Sequence, residues 1–365
     1  MATALAVGRI LLPLHPHTKN LTTNMAHTRK HNRKLLLAIA ILLLAAAATV
    51  FIPIGKGDDT TYVYIDKDDT ADSVSAKVAE NCNAIGVLST RLCLACARTM
   101  LGATVRTGRY AIEPATNALQ LTRALKNGIQ EPVRLTIPSV RTTERLAEEL
   151  SEKLMMDKED LMAYLESNDS CAKYGADTST VIALFIPNTY EIYWNTSPAR
   201  LLSKMQSEQK AFWEGSRKAK AEALGLTPLQ VTTLASIIDE ETANNAEKPM
   251  VAGMYYNRLR QDMPLQADPT IKFALKQFEL RRIYHNMLTV KSPYNTYVNT
   301  GLPPGPIRIP SVAGIDAVLN LVHHDYLYMC AKEDFSGTHN FARTYAEHLK
   351  NAAKYTKALN ERNIK

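Results

Sequence analysis

Several kinds of chemistry are missing from this 365-residue sequence. It has no HExxH or comparable ligand spacing around His323, His324, His339 and His348, no GxSxG, and no glycine-rich phosphate loop. Zinc hydrolysis, serine-triad chemistry and nucleotide binding therefore lack the patterns they need, and neither a metal nor another cofactor is implied. Cysteine is scarce, with five residues. Cys93 and Cys96 form one CxxC with no second pair and no flanking His, so it argues weakly for zinc and not at all for a disulfide scaffold; on a helix it only puts two small side chains on one face. Acids are absent from residues 1–34, which carry Arg9, Lys19, Arg29, Lys30, Arg33 and Lys34. Those six account for nearly all of the formal net charge of +7, so the basic balance belongs to a tail and not to a nucleic-acid-binding face.

Charge is absent again from residues 35–54, LLLAIAILLLAAAATVFIPI. Twenty uncharged, mostly apolar residues are enough to cross a bilayer as a helix and more than a signal-peptide core usually has. The basic residues precede this run and Asp58 and Asp59 come after it. The positive-inside rule then places residues 1–34 in the cytoplasm and everything beyond the span outside. Met25 opens a compact basic segment, MAHTRKHNRK, and is an alternative start.

Beyond the span, residues 62–80 and 133–150 resemble each other: an alternating strand, a polar turn, then a capped amphipathic helix. Between them lie a helical segment with the CxxC, a strand from Tyr110, a helix from Thr116 and a stop at Gly128. A helix is expected over 157–167. Residues 184–197, LFIPNTYEIYWNTS, fit either a core strand or an aromatic wall of a sugar groove. After a helix over 251–260 comes MPLQADPT, read as an Asp-Pro turn. YNTYVNTGLPPG, 294–305, cannot be helical because Gly301, Pro303, Pro304 and Gly305 forbid it, and a rigid polar loop of this kind is suited to carry function. The end reads as strand, turn at Ser336 and Gly337, strand, helix.

The most informative stretch is 227–241, TPLQVTTLASIIDEE. Thr227 suits an N-cap and Pro228 the first helical position. At about 100° per residue its three closing acids cannot be equivalent. Glu241 falls in line with Leu234, Ile237 and Ile238, Asp239 on the opposite side that bears Thr232, and Glu240 on one flank. Burial raises the pKa of a carboxyl, and a carboxyl still protonated near pH 7 can act as a general acid. Taken alone, the helix fits better an acid that pairs with an Arg or reaches back to water.

ASIIDEET, NRL, MPLQADPT, YNTY with GLPPGPI after it, YLY with GTHNF after it, and a closing Tyr345-x-x-His348 occur in that order. Together they resemble the YceG-like family of endolytic murein transglycosylases, over roughly residues 60–355. The resemblance implies an α+β fold in four parts: a cytoplasmic basic tail (1–34), a transmembrane helix (35–54), a LysM-like peptidoglycan-binding region (60–155) and a catalytic domain (156–355). It implies a single-pass protein of the cytoplasmic (inner) membrane with its catalytic domain outside, in the periplasm where there is one.

The same resemblance implies cleavage of the β-1,4 bond between MurNAc and GlcNAc in nascent peptidoglycan strands, leaving a 1,6-anhydro-MurNAc end and terminating strand growth. Glu241, directly before Thr242, takes the catalytic place. Asn257, Gln266, Asp268, Thr270, Tyr294, Asn295, Tyr297 and Asn340 take substrate-binding places. Glycan strands and membrane-anchored peptidoglycan synthases are the implied partners. The sequence departs from the family pattern at Asp239, usually Glu, in ALFIPNTY, where an acid near 183 is missing, and after Asn320, where a usual Pro is Leu321 or Val322. Two other readings stand beside it: a non-catalytic, membrane-anchored peptidoglycan-binding scaffold, and a two-carboxylate muramidase that hydrolyses.

Overall fold

A computed structural model describes residues 17–101, 105–280 and 282–362. Residues 1–16, which hold part of the expected basic tail and the first start at Met1, lie outside the described residues. The fold is mixed α+β, and the chain divides into two compact units at Glu131/Pro132.

The first unit runs α1 (His17–Thr49), β1 (Thr61–Ile65), α2 (Ala71–Asn81), α3 (Ala84–Leu101), β2 (Gly108–Ile112), α4 (Ala118–Asn127). Within α1, the stretch Lys30–Thr49 is long and apolar enough to cross a membrane. The expected span to residue 54 is corrected at its far end. The helix stops at Thr49, Pro53 bridges to Asn117, and Ile54 is fully buried with its N–H on Thr116 O at 2.8 Å. An uncharged run shows what a helix tolerates; backbone pairing with the folded unit decides where it ends. β1 and β2 pair antiparallel, Val63 opposite Tyr110, with α2 and α3 between them in the chain. Val63, Ile65, Val74, Val78, Tyr110, Leu121 and Leu125 close the core. The CxxC lies on α3 as expected, with Cys93 half-buried, Cys96 exposed and both thiols free. Gly128 ends α4 in the left-handed conformation (φ +70°), its N–H on Ala124 O.

The second unit begins with β3 (Val133–Thr136) and α5 (Thr143–Ser151). The expected boundary, which closes a LysM-like region at residue 155, is corrected here. These two elements pack with α6 (Lys158–Leu165), α7 (Asn168–Ala172), β4 (Thr189–Ile192) and α8 (Pro198–Trp213). Leu135, Leu146, Leu150, Leu161, Phe185, Leu201 and Met205 share one core, which holds 132–155 in this unit. β3 pairs antiparallel with β4, so the two similar strand–helix segments each found a different partner. Phe185, Tyr190 and Ile192 are buried, which settles 184–197 as a core strand and its approach.

A second core is built by α9 (Ser216–Ala223), α10 (Pro228–Glu241), α11 (Lys248–Arg260), α12 (Asp268–Leu275) and α13 (Val312–Leu319). α11 starts three residues before the expected 251, with Pro249 in its first turn. The Asp-Pro pair opens α12 and is not a free turn: Pro269 occupies the first turn, where its missing N–H costs nothing. Residues 294–305 form a loop, as the prolines and glycines require. The hairpin of β5 (Tyr328–Ala331) and β6 (His339–Ala342) turns through Gly337 (φ +76°) and packs on α14 (Tyr345–Glu361).

Candidate active site at the end of α10

Helix α10 is capped at Thr227, whose hydroxyl accepts from Gln230 N while the Gln230 side chain accepts from Thr227 N. Every residue from Val231 to Ile238 is buried, so this part of the helix has no solvent face and the expected contrast between an apolar stripe and a Thr232 side disappears. Thr232 and Ser236 satisfy themselves locally, on Pro228 O at 2.8 Å and Thr233 O at 2.6 Å.

The three acids at its end are told apart by their partners. A helix C-terminus repels negative charge, so each needs a reason to sit there. Asp239 forms a buried ion pair with Lys248 Nζ at 2.7 Å and accepts from Ser311 N and Oγ. Glu240 is clamped between Arg141 (Nε 2.8 Å, Nη2 3.0 Å) and Arg308 (Nη1 2.8 Å). Among the described residues Glu241 has no ion pair and accepts one hydrogen bond, from the Tyr255 hydroxyl at 2.6 Å. Its carboxyl is pushed up to about 7. Burial is the largest cause, the Tyr255 hydrogen bond opposes it, the Asp268 charge adds to it and Lys272 works against it.

Glu241 opens onto a cavity of about 440 Å3. Of the expected substrate-binding residues, Gln266, Asp268 and Tyr297 line it. Gln266 adopts φ +53°, held by its N–H on Thr296 O at 3.0 Å and by Arg258 Nη1 on its Oε1 at 3.2 Å. Asp268 begins α12, where the helix dipole favours a carboxylate, and accepts from Tyr297 OH at 2.5 Å. Burial and that Asp268 contact hold the Tyr297 phenol far above its usual range.

The other five do not line the cavity, and each has a structural task. Asn257 donates to His324 O (2.6 Å) and Tyr326 O (3.1 Å), tying the chain before β5 to α11. Thr270 is fully buried and bonds Ala267 O and Thr296 Oγ1. Asn295, also fully buried, donates to Leu288 O and Val290 O and accepts from Tyr297 N, shaping the loop that delivers Tyr297. Tyr294 packs on Phe273, centroids 4.7 Å apart. Asn340 reaches Glu333 at 2.7 Å.

Sequence reasoning does not assign Tyr255, Arg258, Tyr328, Tyr345 or His348, all of which line the cavity. Tyr328, Tyr345 and His348 lie in the motifs that carry the family resemblance, and their stacked rings form one wall. Tyr255 falls among apolar residues of its helix, where nothing distinguishes a phenol that packs from one that donates. Arg258 is buried with no acidic partner among the described residues, held by Leu327 O, Pro264 O, Leu265 O and Gln266 Oε1, its guanidinium 5.1 Å from the Tyr328 ring centre. Among the described residues no cluster of three His, Cys, Asp or Glu could hold a metal.

The sequence profile of the YceG-like family matches residues 63–354. The chain belongs to that family. It is similar to an endolytic murein transglycosylase of Bacillus subtilis, 41% identical over 133 residues that make up 36% of each chain. It is also similar to one of Streptococcus pneumoniae, 28% identical over 289 residues, 69% of this chain and 51% of the relative. The chain thus spans a third to a half of the length of these curated relatives. A crystal structure of a yceG-like protein from Listeria monocytogenes matches with a TM-score of 0.52 and 26% identity, covering 80% of this chain and 99% of the other.

Proposed function

We propose that this YceG-like chain is an endolytic peptidoglycan transglycosylase. It cuts the MurNAc–GlcNAc bond within nascent strands, forms 1,6-anhydro-MurNAc ends and terminates strand elongation. One observation carries the proposal: Glu241, alone among the three acids of α10, has no cation paired with it among the described residues and faces a polar cavity with its pKa near 7. Protonated, it gives its proton to the leaving glycosidic oxygen; the sugar's own 6-hydroxyl then closes the ring and releases a proton that the Glu241 carboxylate can accept. No water attacks, so no second catalytic carboxylate is required. Gln266, Asp268 and Tyr297 hold the sugar around the reacting bond; Asn257, Thr270, Tyr294, Asn295 and Asn340 act by holding the elements that present them. A scaffold without activity has no use for an unpaired acid in such a place.

The strand–helix–helix–strand order of the first unit, with its antiparallel pair, supports a LysM-like glycan-binding role. The apolar stretch in α1 supports a single membrane anchor, with the basic tail inside and the enzyme outside on the positive-inside rule. Membrane-anchored peptidoglycan synthases are the partners that a strand terminator needs.

A second reading has one observation in its favour. Asp268 shares the cavity with Glu241, and two carboxylates would permit hydrolysis. Digestion of purified, uncrosslinked glycan strands by the 365-residue chain in detergent, read by mass spectrometry, separates the readings. Anhydro-ended internal fragments support the transglycosylase, reducing ends the hydrolase, and binding without cleavage the scaffold.

A further inference from the structure

The residue that follows Glu241 is held by a second buried carboxyl. Thr242 ends α10 in an extended conformation, its N–H on Ile238 O at 3.1 Å. Its hydroxyl donates to Oε2 of Glu247 at 3.2 Å and accepts from Asn244 N at 3.1 Å. Glu247 directly precedes α11, where the helix dipole favours negative charge. Its Oε1 accepts from the backbone N–H of His339, on β6, at 2.6 Å, and its Oε2 lies 3.0 Å from His339 Nδ1. Thr242 and Glu247 are both buried, so water competes little for these bonds. One carboxyl therefore joins the end of α10, the start of α11 and the β5–β6 hairpin. Those elements bring Glu241, Tyr255, Cys330, Ala331 and His339 to the cavity.

We propose that Glu247 is a positioning residue for Glu241: by holding Thr242 and His339 on one carboxyl, it fixes where the acid stands against Tyr255 and the hairpin. This rests on the transglycosylase reading above. A single carboxyl that gives a proton to the glycosidic oxygen and then takes one from the 6-hydroxyl has to serve two atoms from one place, so small displacements are costly. Tyr255 restrains the Glu241 side chain by one hydrogen bond. Glu247, through Thr242, restrains the main chain directly beside it. Because Glu247 stands at the start of the helix that carries Tyr255, the two restraints share one frame. Glu247 itself exchanges no proton with the sugar.

The test compares Glu247→Gln, Thr242→Val and Thr242→Ser with the native 365-residue chain on purified glycan strands in detergent. Glutamine keeps one acceptor oxygen and loses the other, and it leaves the Asn244 contact alone. Valine removes the Thr242 hydroxyl and leaves the Glu247 carboxyl in place. The expected result is a kcat lower by roughly 10- to 100-fold in Glu247→Gln and Thr242→Val with KM within a few-fold, most of it recovered in Thr242→Ser. In Thr242→Val the alkaline limb of kcat/KM should also move to higher pH. A loosened Tyr255 bond offsets less of the effect of burial on Glu241, while Asp268, Lys272 and Glu240, the other charges acting on it, are unchanged. A tie that only stabilises the fold would lower Tm and leave that limb in place, so an unmoved limb overturns the proposal, as does an unchanged kcat in Thr242→Val. A limb that moves to lower pH in Glu247→Gln overturns it too, since Glu247 would then act on Glu241 by charge. If Glu247→Gln does not fold, the two Thr242 variants decide alone. All of these outcomes leave the transglycosylase reading intact; if the native chain itself releases no anhydro ends, that reading fails and this inference fails with it.

Discussion

The hydroxyl of Tyr255 donates a 2.6 Å hydrogen bond to Oε1 of Glu241, and this is the only hydrogen bond that carboxyl has within the described part of the protein. It joins the last residue of α10 to the middle of α11, two helices that pack in one core. It also favours the carboxylate, against a burial that favours the acid.

Tyr255→Phe removes that opposition, so the Glu241 pKa rises above about 7. On the proposed reading, the alkaline fall in activity, where the acid loses its proton, should move to higher pH by about one unit or more, since a hydrogen bond to a charged group is worth about 1.5 kcal/mol or more. A pH profile of kcat/KM checks this; a shift to lower pH would contradict the role given to Tyr255.

Glu241→Gln should abolish cleavage and at the same time stabilise the protein above neutral pH. The folded-state pKa of Glu241 lies above its unfolded value, so its stabilising contribution is full below about pH 4.5 and is lost as pH rises through 7. A glutamine has no such loss. Near pH 8 the variant should exceed the native chain by about 3 kcal/mol, and the difference should vanish near pH 4. Thermal unfolding of both chains at pH 4, 6 and 8 measures it.

Asp239→Asn leaves Lys248 buried without a counter-charge. Breaking one side of such a pair costs about 3–5 kcal/mol. Much of that should return in the double variant Asp239→Asn with Lys248→Met, where no charge is stranded. Denaturant unfolding of the three chains decides it, and additive losses would mean the pair is not coupled.

Arg258→Lys should destabilise the protein and, on the proposed reading, slow cleavage. Four oxygens converge on the guanidinium, and an ammonium cannot reproduce that fork. Leaving buried carbonyls unbonded costs about 1–3 kcal/mol each, and Gln266, in its left-handed conformation, loses a restraint. Unfolding by denaturant together with a rise in KM is the expected pair of results.

Much of this is legible without coordinates. The cap at Thr227, the non-helical loop at 294–305 and the hairpin around Gly337 result from local chemistry, and local chemistry survives folding. The wheel of α10 separates Glu241 from Asp239, although its reason, an apolar stripe, does not hold where the helix is buried on all sides. Boundaries are harder. Residues 132–155 look like residues 62–80, and only their packing with Phe185 and Leu201 assigns them to the second unit. Asn257 and Asn295 look like ligand-binding residues because both are polar in polar motifs; that their amides are consumed by backbone carbonyls is visible only in three dimensions.

The sequence by itself determined where helices start, where they cannot run, that an apolar stretch precedes the folded part, and which carboxyl closes α10. These depend on residues within a few positions of one another. Only the tertiary structure decided which acids are neutralised and which is not. Lys248, Arg141, Arg308, Tyr255, Asp268 and His339 come to the end of α10 from separate segments of the chain. Charge and burial act through space, so the difference between Asp239, Glu240 and Glu241 does not exist until the chain has folded.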